Sequence, residues 1–325
     1  MNRRNTSLTL ILTATTAVFT SSAQAQPYPH KPIRLVIGFA PGGAADYVAR
    51  TLAEPMGRSL GQSVVVDNRA GAGSSIAADF VAKAPADGYT LLIASPSSIS
   101  VNPSLNPKLS YSAKDLVPVA RVTTSPLVVA VHPGTGITSM QDLIKTAKAK
   151  PGTLNYSTSG NGSAPHLGAA HFSRVTGVDM VHIPFKGGAP SIQSVIAGEV
   201  QLTFGTPPSV LPMVQAGRLR AIGVTSPQRS PLVPDIPGMN ESGLSNYSIN
   251  FWYGLFVPVG TPPDVIKRVF DAAQEALARP EVKAALAREG TETAMSKSPE
   301  DFAAFLKDDN LFWAKLVKES GVKAD

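Results

Sequence analysis

Short apolar runs, glycine-rich breaks and helical patterns follow one another along most of the chain. "IRLVIGF" at Ile33 to Phe39 has strand length and composition, and "APGGAAD" breaks it. A helical pattern follows from about Tyr47 to Leu60, with a kink expected at Pro55. "SVVVDN" at Ser63 to Asn68 reads as the next strand, "RAGAGSS" as a turn, and Ile76 to Lys83 as a helix. "YTLLIAS" at Tyr89 to Ser95 is a third strand. Strand, loop and helix in repetition argue for an α/β unit with a mostly parallel sheet.

A second set begins at "LVVAVH", Leu127 to His132. Thr138 and Gln141 have capping-box spacing before a helix ending near Lys150. Strands are expected at "TLNYSTS", "MVHIPF", "VQLTFGT" and "LRAIGVTS", and helices at Ala164 to Thr176 and Ser191 to Ala197. In the tail, Thr261 to Asp264 and Ser298 to Asp301 each place a hydroxyl and a proline at a helix start. Between them lies the most aromatic run, "FWYGLFVP" at Phe251 to Pro258.

The N-terminus has a different logic. Arg3 and Arg4 precede an apolar stretch from Leu8 to Phe19, and "AQA" ends at Ala25. This is a secretory signal pattern over residues 1–25, with a mature chain expected from Gln26. The apolar stretch is too short and threonine-rich for a membrane span. Export to the periplasm is the expectation.

Length and composition narrow the rest. The 325 residues allow two packed domains. There are no cysteines, which excludes disulfides, thiolate metal sites and a cysteine nucleophile. Losing Arg3 and Arg4 takes 29 basic side chains to 27 against 23 acidic, about +4. No basic run sits beside aromatics, so no nucleic-acid partner is expected.

Three loops share one arrangement: Ala40 to Asp46, Ser157 to His166 ("STSGNGSAPH") and Lys186 to Pro190. Each follows an apolar strand and precedes a helix. Ligands of open sheets bind beyond the carboxyl ends of strands, and glycines there let backbone N–H groups and a helix N-terminus face an anion. An exported serine hydrolase is the alternative of another class, but the nucleophile elbow needs glycines two residues either side of the serine, where Ser163 has Asn161 and Pro165, and nothing in sequence gives His166 a carboxylate partner. "GNGS" lacks the lysine and spacing of a phosphate loop, and "APGGAAD" lacks the dinucleotide fingerprint. No cofactor and no metal are expected. His166 is read as capping, packing or lying near a ligand, and Asp46 as a cap or a contact for a ligand ammonium. Phe39 is pocket wall or sheet core; Trp252 is core or hinge packing.

These stretches, with "GQSVVVDNRAGAGSSIAADFVAKAPADGYTLL", "HIPFKGGAP", "RLRAIGVTSPQRSPLVPDIPGMNESG" and "FWYGLFVPVGTP", resemble the tripartite tricarboxylate transporter solute-receptor family, the Bug proteins. The resemblance covers essentially the whole mature chain. It implies a two-domain periplasmic binding protein of type II-like α/β fold, each domain a sheet flanked by helices. Domain 1 would use residues 26–122 and 228–325, and domain 2 residues 123–227. It implies capture of a small carboxylate, possibly aromatic such as terephthalate, for a two-component membrane permease, or sensing as the alternative. A monomer is expected.

The resemblance also places binding loops. They are Pro41, Gly42, Gly43 and Asp46; Ser95 to Ser98, with Ser95 and Ser97; Ser157, Thr158, Asn161, Gly162, Ser163 and His166; and Phe185, Lys186, Gly187 and Gly188. Gly42, Gly43, Gly162, Gly187 and Gly188 are expected to present N–H groups, with hydroxyls from Ser157, Thr158, Ser163 and Thr206. The chain departs from the family at Gly205, before Thr206, where an aspartate is usual, and at Phe185, where tyrosine is frequent. Ala44 and Ala45 leave room for a ligand body. Together these point to a plain mono- or dicarboxylate rather than an amino acid.

Overall fold

The computed structural model describes residues 27–323. The expected signal segment, residues 1–25, lies outside them. In chain order the elements are β1 (Ile33–Ile37), α1 (Ala44–Leu60), β2 (Val64–Asn68), α2 (Ser75–Ala82) and β3 (Thr90–Ala94). One turn of π-helix at Ser97–Val101 leads into α3 (Asn102–Leu105). Next come β4 (Leu116–Pro126), β5 (Val128–Val131), α4 (Met140–Ala149), β6 (Asn155–Thr158), α5 (Ala164–Thr176), β7 (Val181–Pro184), α6 (Gly188–Ile196), β8 (Leu202–Gly205), α7 (Pro207–Gln215) and β9 (Arg220–Val224). The chain ends with β10 (Asn250–Pro258), α8 (Pro263–Ala278), α9 (Pro280–Arg288), β11 (Glu292–Thr293) and α10 (Pro299–Ser320).

These strands form two sheets, ordered β11-β4-β10-β3-β1-β2 and β7-β6-β8-β5-β9. The α/β class is as expected, but both sheets are mixed rather than mostly parallel, because the strands that link the two sheets pair antiparallel. β1 pairs in parallel with β2 and β3, and β6 with β7 and β8. The antiparallel pairs involve the strands that carry the chain between sheets. β4 and β10 pair along nearly their whole length in the six-stranded sheet, and β5 pairs with β8 and β9 in the other. The chain passes from β4 to β5 across Leu127, and returns from β9 to β10.

Packing follows the alternation of side chains along each strand. Phe251, Tyr253 and Leu255 of β10 join the core under α1 and α8, with Leu52 and Val269. Trp252 and Phe256 face the other way, against Phe302 and Leu306 of α10. The Trp252 indole also donates to Asp309 at 2.9 Å, so this tryptophan anchors α10. Trp313 is fully buried and donates to the same carboxylate at 3.2 Å.

Local chemistry explains where elements differ from the sequence pattern. Helix α4 is capped by Ser139, whose hydroxyl accepts the Asp142 N–H at 3.0 Å, rather than by Thr138. The Thr261 hydroxyl donates to the Pro258 carbonyl instead of capping α8, which begins after Pro262. Pro55 lies inside α1 without ending it. Strand β4 escapes a pattern reading because Pro118 interrupts it; a register shift between Leu255 and Phe256 of the partner strand accommodates that proline. Helix α7 escapes because it carries Pro207, Pro208 and Pro212, of which the first two occupy positions that need no N–H partner.

Candidate ligand-binding site

Four helices begin where the two sheets face each other. α1 follows β1, α5 follows β6, α6 follows β7 and α7 follows β8. Their first turns share one cavity, lined by Ala44 and Ala45 of α1, Pro165 of α5, Gly188 and Ser191 of α6, and Ser209 of α7. A helix N-terminus carries partial positive charge, so the four together favour an anion. Three of them, at Gly43, Gly187 and Thr206, have no side-chain cap. The N–H groups of Ala45 and Asp46 in α1, and of Gly188 and Ala189 in α6, find no acceptor among the described residues.

No charged side chain lines this cavity. Phe39, Ile192, Phe204, Phe251 and Tyr253 supply an apolar wall, and Ser159, Ser191, Thr203, Thr206 and Ser209 supply hydroxyls. Its volume is about 20 Å³, room for about one water.

Direct bonds hold the two halves this close. The Ala40 N–H donates to the Lys186 carbonyl at 3.0 Å. The Ala44 N–H donates to Ser209 Oγ at 3.1 Å, and the Ala164 N–H to Ser97 Oγ at 3.0 Å. Glycines allow the approach. Gly187 has φ +137°, and a Cβ there would lie 2.9 Å from the Ala40 nitrogen. A Cβ on Gly73 would lie 2.5 Å from the Asn161 carbonyl oxygen.

The structure brings Phe39, Ala44, Ala45, Gly188, Gly205 and Thr206 to the cavity among the residues singled out in the sequence. Others have different partners. Pro41, Gly42 and Gly43 form the turn into α1, but the Gly42 N–H is engaged by Asp46 Oδ2 at 3.0 Å and is not offered to the cavity. Asp46 also accepts from Arg50 Nε at 3.0 Å and Asn68 Nδ2 at 3.1 Å. Burial alone would raise its carboxyl; the bonds from Arg50, Gly42 and Asn68 outweigh burial and hold it below the usual range. Ser97 meets α5, and Ser95 is buried with no bond to its hydroxyl among the described residues.

The "STSGNGSAPH" loop is tied internally. The Ser157 hydroxyl donates to the Ser191 carbonyl at 3.0 Å. Thr158 Oγ1 lies 2.6 Å from His182 Nε2. The Gly162 N–H points at His166 Nδ1, 3.4 Å away, and Ser163 caps α5 by accepting the His166 N–H at 3.3 Å. Asn161 packs against Gly73 through its carbonyl. The nest of N–H groups and hydroxyls expected from this loop is therefore largely occupied by the fold. Phe185 is half-buried beneath the second sheet, Lys186 is exposed and contributes its carbonyl, and Gly187 starts α6.

His166 is buried and stacks on His182 with ring centroids 3.7 Å apart. Burial, with a smaller contribution from His182, pushes its pKa down to about 3. The neutral ring therefore packs and positions the loop. Ser163 meets the His166 backbone, not its ring, so the nucleophile–base contact of a serine hydrolase is not formed. Among the described residues, no group of three His, Asp or Glu side chains could hold a metal.

The sequence reading missed Ser191, Ile192, Thr203, Ser209, Phe251 and Tyr253, all of which line the cavity. A period of two in "FWYGLFVP" carries the missing signal: it sets Phe251 and Tyr253 on the face opposite Trp252.

The model of the tripartite tricarboxylate transporter family receptor matches residues 48–322. The chain belongs to this family. The receptor is 37% identical over 310 residues to Protein BugT of Bordetella pertussis, covering 95% of each chain. Among solved structures it resembles Rhodopseudomonas palustris Rpa4515 with adipate, at 32% identity and TM-score 0.87, covering 91% of this chain and 99% of that one. It also resembles MatC of the same organism with bound malate, at 28% identity and TM-score 0.85, covering 89% and 100%. The two-sheet architecture is thus that of carboxylate-binding relatives.

Proposed function

We propose that this receptor captures a small organic carboxylate in the periplasm, between its two halves, and delivers it to membrane permease subunits. The observation that carries the reading is the convergence of four helix N-termini on a cavity free of charged side chains. Neutral donors suffice, because hydrogen bonds to an ionised group contribute about 1.5–3 kcal/mol each. An amino acid would bring an ammonium into a cavity with no carboxylate to meet it. Gly205 reinforces this: a Cβ there would lie 2.5 Å from Val210 Cγ2, so an aspartate does not fit without repacking.

Residues 26–122 and 228–325 form one moving unit in this account, and residues 123–227 the other. They part to admit ligand and close over it. The relatives holding adipate and malate support the ligand class. The sequence pattern at residues 1–25 supports export, and no helix among the described residues is long and apolar enough to cross a membrane. The role read here is binding rather than catalysis, in keeping with the receptor family and its ligand-holding relatives.

Isothermal titration with adipate, malate, terephthalate and benzoate, against aspartate and the neutral isostere adipamide, tests this. Binding of at least one acid, with none of adipamide or aspartate, is expected. Tight aspartate binding without a response to any plain acid would overturn the ligand class.

A further inference from the structure

One wall of the cavity comes from β10, where Phe251 and Tyr253 meet edge to face at 4.9 Å. Tyr253 is 5% exposed. Its hydroxyl makes no hydrogen bond among the described residues, although the side chain lines the cavity. Buried tyrosines normally find a partner for the O–H. Three others in this chain do: Tyr89 meets His30, Tyr111 donates to the Ser98 carbonyl at 2.7 Å, and Tyr247 to the Gly168 carbonyl at 2.9 Å. The hydroxyl of Tyr156, equally buried, shares the lack of a hydrogen-bond partner among the described residues but does not line the cavity. Burial holds the Tyr253 hydroxyl well above the usual phenol range, so it stays protonated and can donate.

The helix N-termini and the tyrosine are separate sources of donors. The helices account for one carboxylate. Phe39, Ile192, Phe204 and Phe251 offer nothing but apolar surface, suited to a methylene chain or a ring. The phenol is then left for a second acceptor. We infer that Tyr253 donates to a second carboxylate on the ligand, and so makes this receptor select a diacid over the monoacid of the same skeleton. The inference rests on the carboxylate reading above and adds the residue that sets its specificity.

Tyr253→Phe removes the hydroxyl and keeps the ring. Wild type and variant are titrated by calorimetry with matched pairs: succinate and butyrate, adipate and hexanoate, terephthalate and p-toluate. The wild type is expected to prefer the diacid of the best-binding pair. The variant is expected to lose about tenfold or more in affinity for that diacid, and to stay within about twofold for its monoacid. Its thermal midpoint without ligand is expected to match wild type. Unchanged diacid affinity, an equal loss for both members of the pair, or a wild type that prefers monoacids would each overturn the inference. A wild type that binds none of these acids would instead overturn the carboxylate reading, which separates the two failures.

Discussion

Ser97→Ala isolates the free energy of closing. Ser97 Oγ is the acceptor for the Ala164 N–H at 3.0 Å, and both residues are fully buried. Neither lines the cavity. With the halves together, the variant leaves a buried donor unmade, at a cost of about 1–3 kcal/mol. With the halves apart, the same N–H reaches water and loses nothing. The whole penalty therefore falls on the closed form. If the ligand is held only when the halves close, apparent affinity falls in proportion to the closed population, by about 5- to 150-fold. Calorimetric titration of wild type and variant with the same acid reads this directly, and thermal melting without ligand reads the fold. A higher Kd with an unchanged ligand-free melting temperature is the expected pair of results. An unchanged Kd would refute the coupling. A lower melting temperature with wild-type affinity would show that the bond belongs to the fold and not to closure.

Three further outcomes follow from the same geometry. Gly205→Asp is expected to weaken acid binding at least tenfold by calorimetry, because it puts a carboxylate at the anion site, and to destabilise by about 1–3 kcal/mol through overpacking against Val210. His166, lowered from 6.5 to about 3 by burial and His182, contributes stability that is complete above pH 6.5 and lost as pH falls toward 3. The loss is about 2 kcal/mol between pH 8 and pH 5, read as the difference in urea midpoints between wild type and His166→Gln at each pH. That difference is needed because Asp309, pushed up to about 6 by burial, runs the other way and favours the fold as pH drops through that range. Asp309→Asn sets an amide against one of the two indole donors, Trp252 or Trp313, and is expected to lower stability by about 1–3 kcal/mol, with a shift in tryptophan emission.

The strand–loop–helix repetition made the α/β class legible, because short apolar runs and glycine breaks are local features. The parts that escaped depend on long-range partners. β4 exists as a strand because β10 and β11 pair with it, and its own residues include an interrupting proline. The glycine loops pointed to the cleft, and Phe39, Ala44, Ala45, Gly188, Gly205 and Thr206 are at the cavity. Two of the five glycine donors expected from these loops are taken by the fold, while Gly188 keeps an N–H without an acceptor among the described residues at the cavity. Gly42 and Gly162 are spent on Asp46 and His166, four residues onward in each case. Sequence shows that an N–H is present; only the fold shows which acceptor takes it. Phe251 and Tyr253 were masked by Trp252, whose bulk suggests core for the whole run, although alternate residues of a strand face opposite sides.

An anionic small molecule that binds between the halves and holds them closed would stabilise the folded receptor. Thermal melting of the mature receptor across a concentration series of mono-, di- and tricarboxylates, aromatic acids, amino acids and neutral sugars tests this most directly. The expected result is a melting temperature that climbs with the logarithm of concentration for a plain acid once it exceeds its Kd, and no response to sugars or amino acids. A rise with a sugar or an amino acid alone, or no rise with any acid, would contradict it.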